Sequence, residues 1–304
     1  MSSGGGTPAV VAALGANLAI AAAKGIGFLV TGSSSLLAEA VHSVADSGNQ
    51  VLLLLGGRRS DRRPDEAHPF GYGADRYFYA FVVALVLFSL GAVFAVVEGV
   101  TKVRSPHPVD RPAIALGILA FALVAEGFSF RTAVKVAAPL RSGQSWWSYI
   151  RSAKSPELPV VLLEDLAALI GLLLAVAGVG LAAAFHAPVW DGIATLGIGA
   201  LLGTVAVILA VEMKGLLIGE SAAPQAVLAI RTALVDGSDI LRVIHLRTLH
   251  LGPDELLVAA KVAVRPGLGS GAVAAAIDAA EVRVRAVEAL AHVIYIEPDL
   301  DRGA

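Results

Sequence analysis

A short polar stripe within an apolar stretch holds residue types that bind divalent metal ions. Its members are Glu39, His42, Asp46, Asn49 and Gln50, and at about 100° per residue they fall within roughly one third of a helix circumference. His42 and Asp46 are four residues apart, so both point the same way from one helix. An imidazole and a carboxylate suit Zn²⁺ and related first-row ions. Since one pair is not a complete site, further ligands must come from another segment.

A second polar feature interrupts the apolar run 158–185, where Glu164 and Asp165 are adjacent. Neighbouring side chains on a helix point about 100° apart, so both cannot face one small site. We therefore expect one to serve the metal site and the other an adjacent helix or a proton path. The alternative is a helix that begins near Leu166, with the two acids at its positive N-terminal end.

Combined, these segments predict a site for a transported metal ion. His42, Asp46 and Asp165 give three protein ligands, and Glu164, Asn49 or water would complete a tetrahedron. Ligands of this kind lose protons to bind metal and regain them on release, so the metal affinity depends on pH. That is the chemistry of metal/proton antiport. Zn²⁺ is the expected ion, and Co²⁺, Fe²⁺ and Mn²⁺ are alternatives for the same donors.

The composition is that of an integral membrane protein. Hydrophobic residues make up 56% of the 304 and charged residues 16%, with a mean hydropathy of +0.75. The first eight residues contain no Lys or Arg, so no cleavable signal is expected. The absence of cysteine excludes disulfides and thiolate ligands. We expect contact with membrane lipid and no nucleic-acid partner.

Six segments reach the length of about 20 residues that a membrane-spanning helix needs. They lie near 9–31, 34–57, 77–100, 112–134, 158–185 and 189–213. The connections carry ten Lys or Arg residues on one side and three on the other. Because basic residues stay on the cytoplasmic side, this asymmetry predicts a plasma (inner) membrane protein with both termini in the cytoplasm.

Other polar residues near these spans have competing interpretations. Lys24 lies inside the first span, where we expect it to snorkel to the membrane surface. Glu126 in the fourth span has an arginine five residues on, so an ion pair and a functional role are equally supported. In the connection after the second span, Asp65 and His68 form either a secondary metal site or a solvated turn.

The chain beyond residue 218 has the pattern of a small water-exposed domain. Helices are predicted near 223–236 and 271–287, and strands near 241–251, 255–264 and 291–297. This order indicates a ferredoxin-like α+β domain of αββαβ type with an antiparallel sheet. The predicted fold is thus an α-helical membrane domain of six transmembrane helices, residues 1–218, followed by a cytosolic α+β domain, residues 219–304.

Two motifs resemble the cation diffusion facilitator family of metal transporters: the run Thr31–Asp46 and the hexapeptide His68–Gly73. The resemblance covers essentially the whole chain. It implies a homodimeric exporter of Zn²⁺ or a similar ion that works by alternating access and proton exchange. It also implies that His42 and Asp46 are ligands, that Asp165 is the distal ligand of the fifth span, and that residues 219–304 mediate dimerisation.

This chain departs from the family pattern at two places. Val161 stands where the fifth span commonly has another ligand, and the neighbouring Glu164-Asp165 pair resembles the branch that includes the mitochondrial zinc exporter of animals. Tyr72 occupies the position of a histidine that partners Asp65 in the loop site. The cytosolic domain lacks the family's histidine cluster, so we expect dimerisation without a dimetal centre there.

Two other classes of protein compete with a transporter. A membrane-embedded metal-dependent hydrolase would use the same ligands to activate water, with Glu164 or Glu39 as general base. No nucleophile elbow or HExxH helix accompanies them in the sequence. A membrane scaffold or receptor would not need intramembrane ligands. We therefore predict a transporter and not an enzyme.

Overall fold

A computed structural model describes residues 7–141 and 143–300 of the chain. The chain packs into two compact units. The first contains the described residues up to Gly56 together with Phe78–Met213, and the second contains Gly57–Tyr77 and the described residues from Lys214 onward.

The first unit is helical, and each predicted span coincides with helix. The helices are α1 (Thr7–Thr31), α2 (Ser34–Ser60), α3 (Asp75–Val82), a π-helical stretch (Val83–Phe88), α4 (Ser89–Arg104), α5 (Pro112–Ala137), α6 (Trp146–Ser152), α7 (Glu157–Ala184) and α8 (Val189–Ile218). The predicted span 77–100 therefore corresponds to α3, the π-helical stretch and α4 in succession. Because α7 begins at Glu157, the alternative start near Leu166 is wrong.

Four helices of the described chain are long and apolar enough to cross a membrane. They are Asp75–Arg104, Pro112–Ala137, Glu157–Ala184 and Val189–Ile218. Within α1, Asn17–Thr31 is a shorter apolar helical segment. In α2, which has 27 residues, the polar stripe lowers the hydropathy. The protein is thus an integral membrane protein, and six spanning helices stay a prediction.

The turn between α1 and α2 fixes where the polar stripe begins. Gly32 has φ 62°, a left-handed conformation that side chains disfavour and glycine adopts at no steric cost. Its N–H donates to the carbonyl of Phe28 at 2.7 Å. This glycine ends α1 and lets α2 start two residues later. Within the same unit, α5 packs against both α1 and α7.

The second unit contains a three-stranded sheet with two helices. The elements are α9 (Pro224–Val235), β1 (Ile240–Gly252), β2 (Glu255–Val264), α10 (Ser270–Val287) and β3 (Val293–Leu300), so the predicted αββαβ order is confirmed. β1 pairs antiparallel with β2, as a tight hairpin requires. β3 pairs parallel with β2. The expected fully antiparallel sheet is wrong here because α10 carries the chain back over the sheet between these strands.

The loop between α2 and α3 packs within this second unit. A Cβ added to Gly73 would lie 2.9 Å from the carbonyl oxygen of Leu251, so only glycine allows this approach. Arg76 Nη1 lies 2.6 Å from Asp254 Oδ2. The division of the chain into a transport domain, 1–218, and a dimerisation domain, 219–304, stays a proposal about function.

Candidate metal-binding site

The polar stripe of α2 faces the interior of the helical unit. Glu39, His42, Asp46 and Asn49 are all at most 5% exposed, whereas apolar residues elsewhere on the helix, such as Val44, are exposed. This is the orientation expected of ionisable groups in a membrane helix, because facing lipid would cost each of them about 2.5–3.5 kcal/mol or more.

A carboxylate from another helix holds the N-terminus of α2. Asp191, at the start of α8, accepts hydrogen bonds from the backbone N–H of Ser34 at 2.8 Å and from Ser33 Oγ at 3.0 Å, and also from Ser35 Oγ. Lys102 Nζ of α4 lies 3.8 Å from Asp191 Oδ2. The first turn of a helix has unsatisfied N–H groups and a partial positive charge, so this buried aspartate stabilises α2 and fixes its position.

His42 and Asp46 lie together as the spacing predicts. His42 Nδ1 is 3.3 Å from Asp46 Oδ1, although the geometry does not complete a hydrogen bond to that oxygen. The other ring nitrogen, Nε2, is buried without a hydrogen-bond partner. Phe88 covers the ring at a centroid distance of 6.3 Å. One ring nitrogen thus lies beside a carboxylate, and the other is buried and free to bind a metal ion.

The two carboxylates of α7 point to different helices. The side chain of Glu164 faces Asp46 and Asn49 of α2, although neither amide atom of Asn49 has the geometry of a completed hydrogen bond. Asp165 accepts a hydrogen bond from Ser129 Oγ of α5 at 3.0 Å. The 100° between adjacent positions thus sends one acid to the stripe and the other to a neighbouring helix, as the sequence predicted. Glu164, which the sequence offered only as a fourth ligand, is the one that faces α2.

Among the described residues, no three His, Asp or Glu side chains come close enough together to hold a metal ion. The expected set of His42, Asp46 and Asp165 is not assembled, because Asp165 turns toward α5. The assignment of these ligands stays a prediction. The structure places His42, Asp46, Asn49 and Glu164 along one interface between α2 and α7.

Buried polar atoms without hydrogen-bond partners concentrate on this interface. They are Glu39 Oε1, His42 Nε2, Asp46 Oδ1, both amide atoms of Asn49, Gln50 Oε1 and Glu164 Oε2. Leaving a buried polar group unpaired costs about 1–3 kcal/mol. Unpaired groups gathered in one place therefore indicate a site that binds something, and these donors fit a hydrated divalent cation.

The expectation that Lys24 snorkels to the membrane surface is wrong. The lysine is fully buried, and Nζ lies 3.1 Å from Glu39 Oε2 and donates to Ser43 Oγ at 2.8 Å. Lys24 lies seven residues before the end of α1 at Thr31, about 10 Å along the axis, so its side chain does not snorkel to that end. The depth of the lysine in an apolar run was the signal that it needed a buried partner.

Two residues of α5 near the candidate site were not predicted from the sequence to belong to it. Ser129, which holds Asp165, was not identified as a site residue. Glu126, one turn earlier, is half-buried and interacts electrostatically with Glu39 and Asp46. A serine and a glutamate three residues apart share one helix face, and that spacing is the pattern that would have drawn attention to them.

The candidate loop site has the structure of a closed turn. Asp65 Oδ1 accepts from the backbone N–H of His68 at 2.7 Å, and Oδ2 accepts from Tyr72 Oη at 2.6 Å. The Tyr72 hydrogen bond is the main cause that lowers the pKa of Asp65. His68 Nδ1 is 3.5 Å from the same carboxylate. Since both oxygens already accept hydrogen bonds within the loop, this geometry favours the turn over a metal site.

Comparison with known proteins identifies the family. A family model described as the cation efflux transmembrane domain matches residues 10–218. The chain belongs to the cation efflux family. The predicted membership of the cation diffusion facilitators, near the mitochondrial zinc exporter, is confirmed, and the family is one of transporters and not of enzymes.

Several curated relatives resemble the chain. It is 35% identical over 224 residues to the mitochondrial proton-coupled zinc antiporter SLC30A9 of Xenopus laevis, covering 73% of this chain and 40% of the relative. The human protein of that name is 34% identical over 227 residues, with 73% and 39% coverage. The manganese efflux system protein MneP of Bacillus subtilis is 29% identical over 167 residues, with 55% and 53% coverage. The chain thus spans about 40% of the length of the two zinc antiporters.

Proposed function

We propose that the protein exports a divalent metal cation, zinc, in exchange for protons. The observation that carries this proposal is the set of unpartnered buried polar atoms along the interface of α2 and α7. A purely structural polar cluster would satisfy its own hydrogen bonds, as the Asp191 cluster does. The proton-coupled zinc antiporters among the relatives support the same function.

His42, Asp46 and Glu164 form the proposed ligand set, and Asn49 adds a neutral oxygen. Binding would have to draw these side chains together, because among the described residues no three such groups lie close enough to hold an ion. His42 offers Nε2, and Asp46 and Glu164 each offer an unpartnered carboxylate oxygen. Asp165 joins the site only when it releases Ser129. Binding a dication between these acids displaces protons from them, and release of the ion lets protons return, which couples the two movements.

The choice of zinc follows from the ligand types and the relatives. One imidazole with carboxylates suits Zn²⁺ and also accepts Co²⁺, Fe²⁺ and Mn²⁺. The names of the relatives include zinc and manganese transporters. We further propose that the chain works as a homodimer through residues 219–304, in the plasma (inner) membrane with both termini cytoplasmic.

Transport in proteoliposomes tests this function. Purified full-length protein is reconstituted around a zinc-sensitive dye, and Zn²⁺ uptake is followed with and without a pH gradient. We expect uptake that requires the gradient and that is lost in Asp46→Ala. The control is Asp278→Ala, which removes an exposed carboxylate on α10. Uptake that is insensitive to the gradient, or that survives Asp46→Ala, would refute the proposal.

A further inference from the structure

A buried ion pair lies one helical turn from the proposed metal ligands. Lys24 of α1 and Glu39 of α2 are both fully buried, and their charged atoms are 3.1 Å apart. Glu39 precedes His42 by three residues, so the two side chains share one face of α2. An acid at this place is a candidate metal ligand, but its partner is a lysine and not an ion.

Contacts from three helices keep this pair closed. Lys24 Nζ also donates to Ser43 Oγ at 2.8 Å, which anchors the ammonium group on the next turn of α2. On the other side, Gly171 of α7 lies against the carboxylate, where an added Cβ would overlap Glu39 Oε1. Glu39 is thus held between the lysine of α1 and a position on α7 where an added methyl group would overlap its carboxylate.

The electrostatic reach of Lys24 includes the metal site. Its ammonium group acts on His42 and Asp46 of α2 and on Glu126 of α5. Without Glu39 to offset it, a positive charge at this distance would repel a dication in a medium of low dielectric constant. Without Lys24, an unpaired carboxylate would face the same site and attract the ion.

We propose that Lys24 is a positioning residue that withholds Glu39 from the metal ligands, so that the pair stays closed while the ion binds and leaves. This inference rests on the proposed transport function and specifies which acids the ion meets. A site with one more free carboxylate would bind the dication more tightly and release it more slowly. The pair thereby sets the affinity of the site at a level that permits release.

Zn²⁺ affinity of the full-length protein in detergent tests this role. Affinities of Lys24→Met, Glu39→Gln and the double variant are measured by competition with a fluorescent chelator. We expect Glu39→Gln to weaken binding by about tenfold or more and Lys24→Met to tighten it by about tenfold. The double variant, without either charge, should return to within about threefold of the unmodified protein. The Zn²⁺ affinity of Lys24→Arg, which keeps the charge, should also lie within about threefold of that of the unmodified protein.

Opposite shifts in the single variants distinguish this role from a merely structural one, which would weaken binding in both. Loss of more than tenfold in the double variant would overturn the inference, because Glu39 would then be a ligand. Single variants that both stay within threefold would also overturn it. If neither single variant folds, the Zn²⁺ affinity of the double variant alone decides whether the inference holds. A double variant that does not fold overturns the inference, since uncharged groups replace a buried pair at little cost.

The unmodified protein separates this inference from the function on which it rests. If the unmodified protein binds no Zn²⁺, the proposed function fails. If it binds Zn²⁺ and the variants do not diverge as described, only the role of Lys24 fails.

Discussion

Gly171→Ala tests whether Glu39 is held rigidly against α7. The methyl group would overlap Glu39 Oε1, so either the carboxylate turns away from Lys24 or α7 moves outward. Breaking a buried ion pair costs about 3–5 kcal/mol, whereas moving α7 outward to accommodate one methyl costs about 1–3 kcal/mol. The helix will therefore take the second route.

The same helix provides a matched control. Gly180 also lies in α7, and an added Cβ there meets nothing within 4 Å. Replacing glycine by alanine inside a helix stabilises it by about 1 kcal/mol when there is room. Gly180→Ala should thus gain about 1 kcal/mol of unfolding free energy, and Gly171→Ala should lose about 0–2 kcal/mol after the same gain is included. The two variants should differ by about 1–3 kcal/mol.

Thermal unfolding in detergent, followed by the emission of the three tryptophans, measures this difference. At one fixed scan rate, a gap of about 1–3 kcal/mol corresponds to about 2–12 °C between the midpoints of the two variants. Equal midpoints, or a more stable Gly171→Ala, would show that Glu39 moves aside at little cost. The rigid pair inferred from the structure would then be wrong.

Three further predictions concern the site, its anchor and the loop. Glu164→Gln should weaken Zn²⁺ binding by about 100-fold and Asp165→Asn by less than about tenfold, as measured by chelator competition, and the reverse order would refute the proposed ligand set. Asp191→Asn should lower the unfolding free energy by about 2–4 kcal/mol, because charge-assisted hydrogen bonds become neutral ones, whereas the same change at an exposed aspartate should not. Tyr72→Phe should raise the pKa of Asp65 toward its ordinary value, measured by carboxyl ¹³C NMR. Because the pKa of Asp65 is lowered in the folded state, the hydrogen bond from Tyr72 stabilises the loop at pH values above the ordinary aspartate pKa. This stabilisation is lost as the pH falls through the lowered pKa. An unchanged titration of Asp65 in Tyr72→Phe would refute this role of the hydrogen bond.

The helical part of the fold was predictable because its signals are local. Apolar runs bounded by glycine, proline and charge predicted the long helices to within a few residues, such as α2 at Ser34–Ser60 and α8 at Val189–Ile218, but not the short α6. The order of helices and strands along the chain in the second unit was predictable for the same reason. The parallel pairing of β3 was not, since it depends on how α10 crosses the sheet and not on any residue within β3.

The site was predictable on α2 and only partly on α7. A spacing of four places His42 beside Asp46 in any helix, so local geometry is sufficient there. Which of Glu164 and Asp165 faces α2 depends on the rotation of α7 about its axis. Close packing sets that rotation, for example where Gly178 admits the backbone of Trp190. The sequence does not show which helix packs against a glycine such as Gly178, so this rotation could not be predicted.

Most polar groups near the start of α2 are paired, and most of those further along are not. Near its N-terminus, Asp191 accepts the hydrogen bonds of the first turn, and Lys24 pairs with Glu39 shortly after, although Glu39 Oε1 has no hydrogen-bond partner. From His42 to Gln50, several buried polar atoms have no hydrogen-bond partner. Asp191 and Lys24 fix the position of α2 at its start. The helix therefore stays in place although buried polar groups further along lack hydrogen bonds, which costs free energy. An ion that arrives at the second half therefore finds its ligands on a helix whose position is already set by contacts that do not involve the ion.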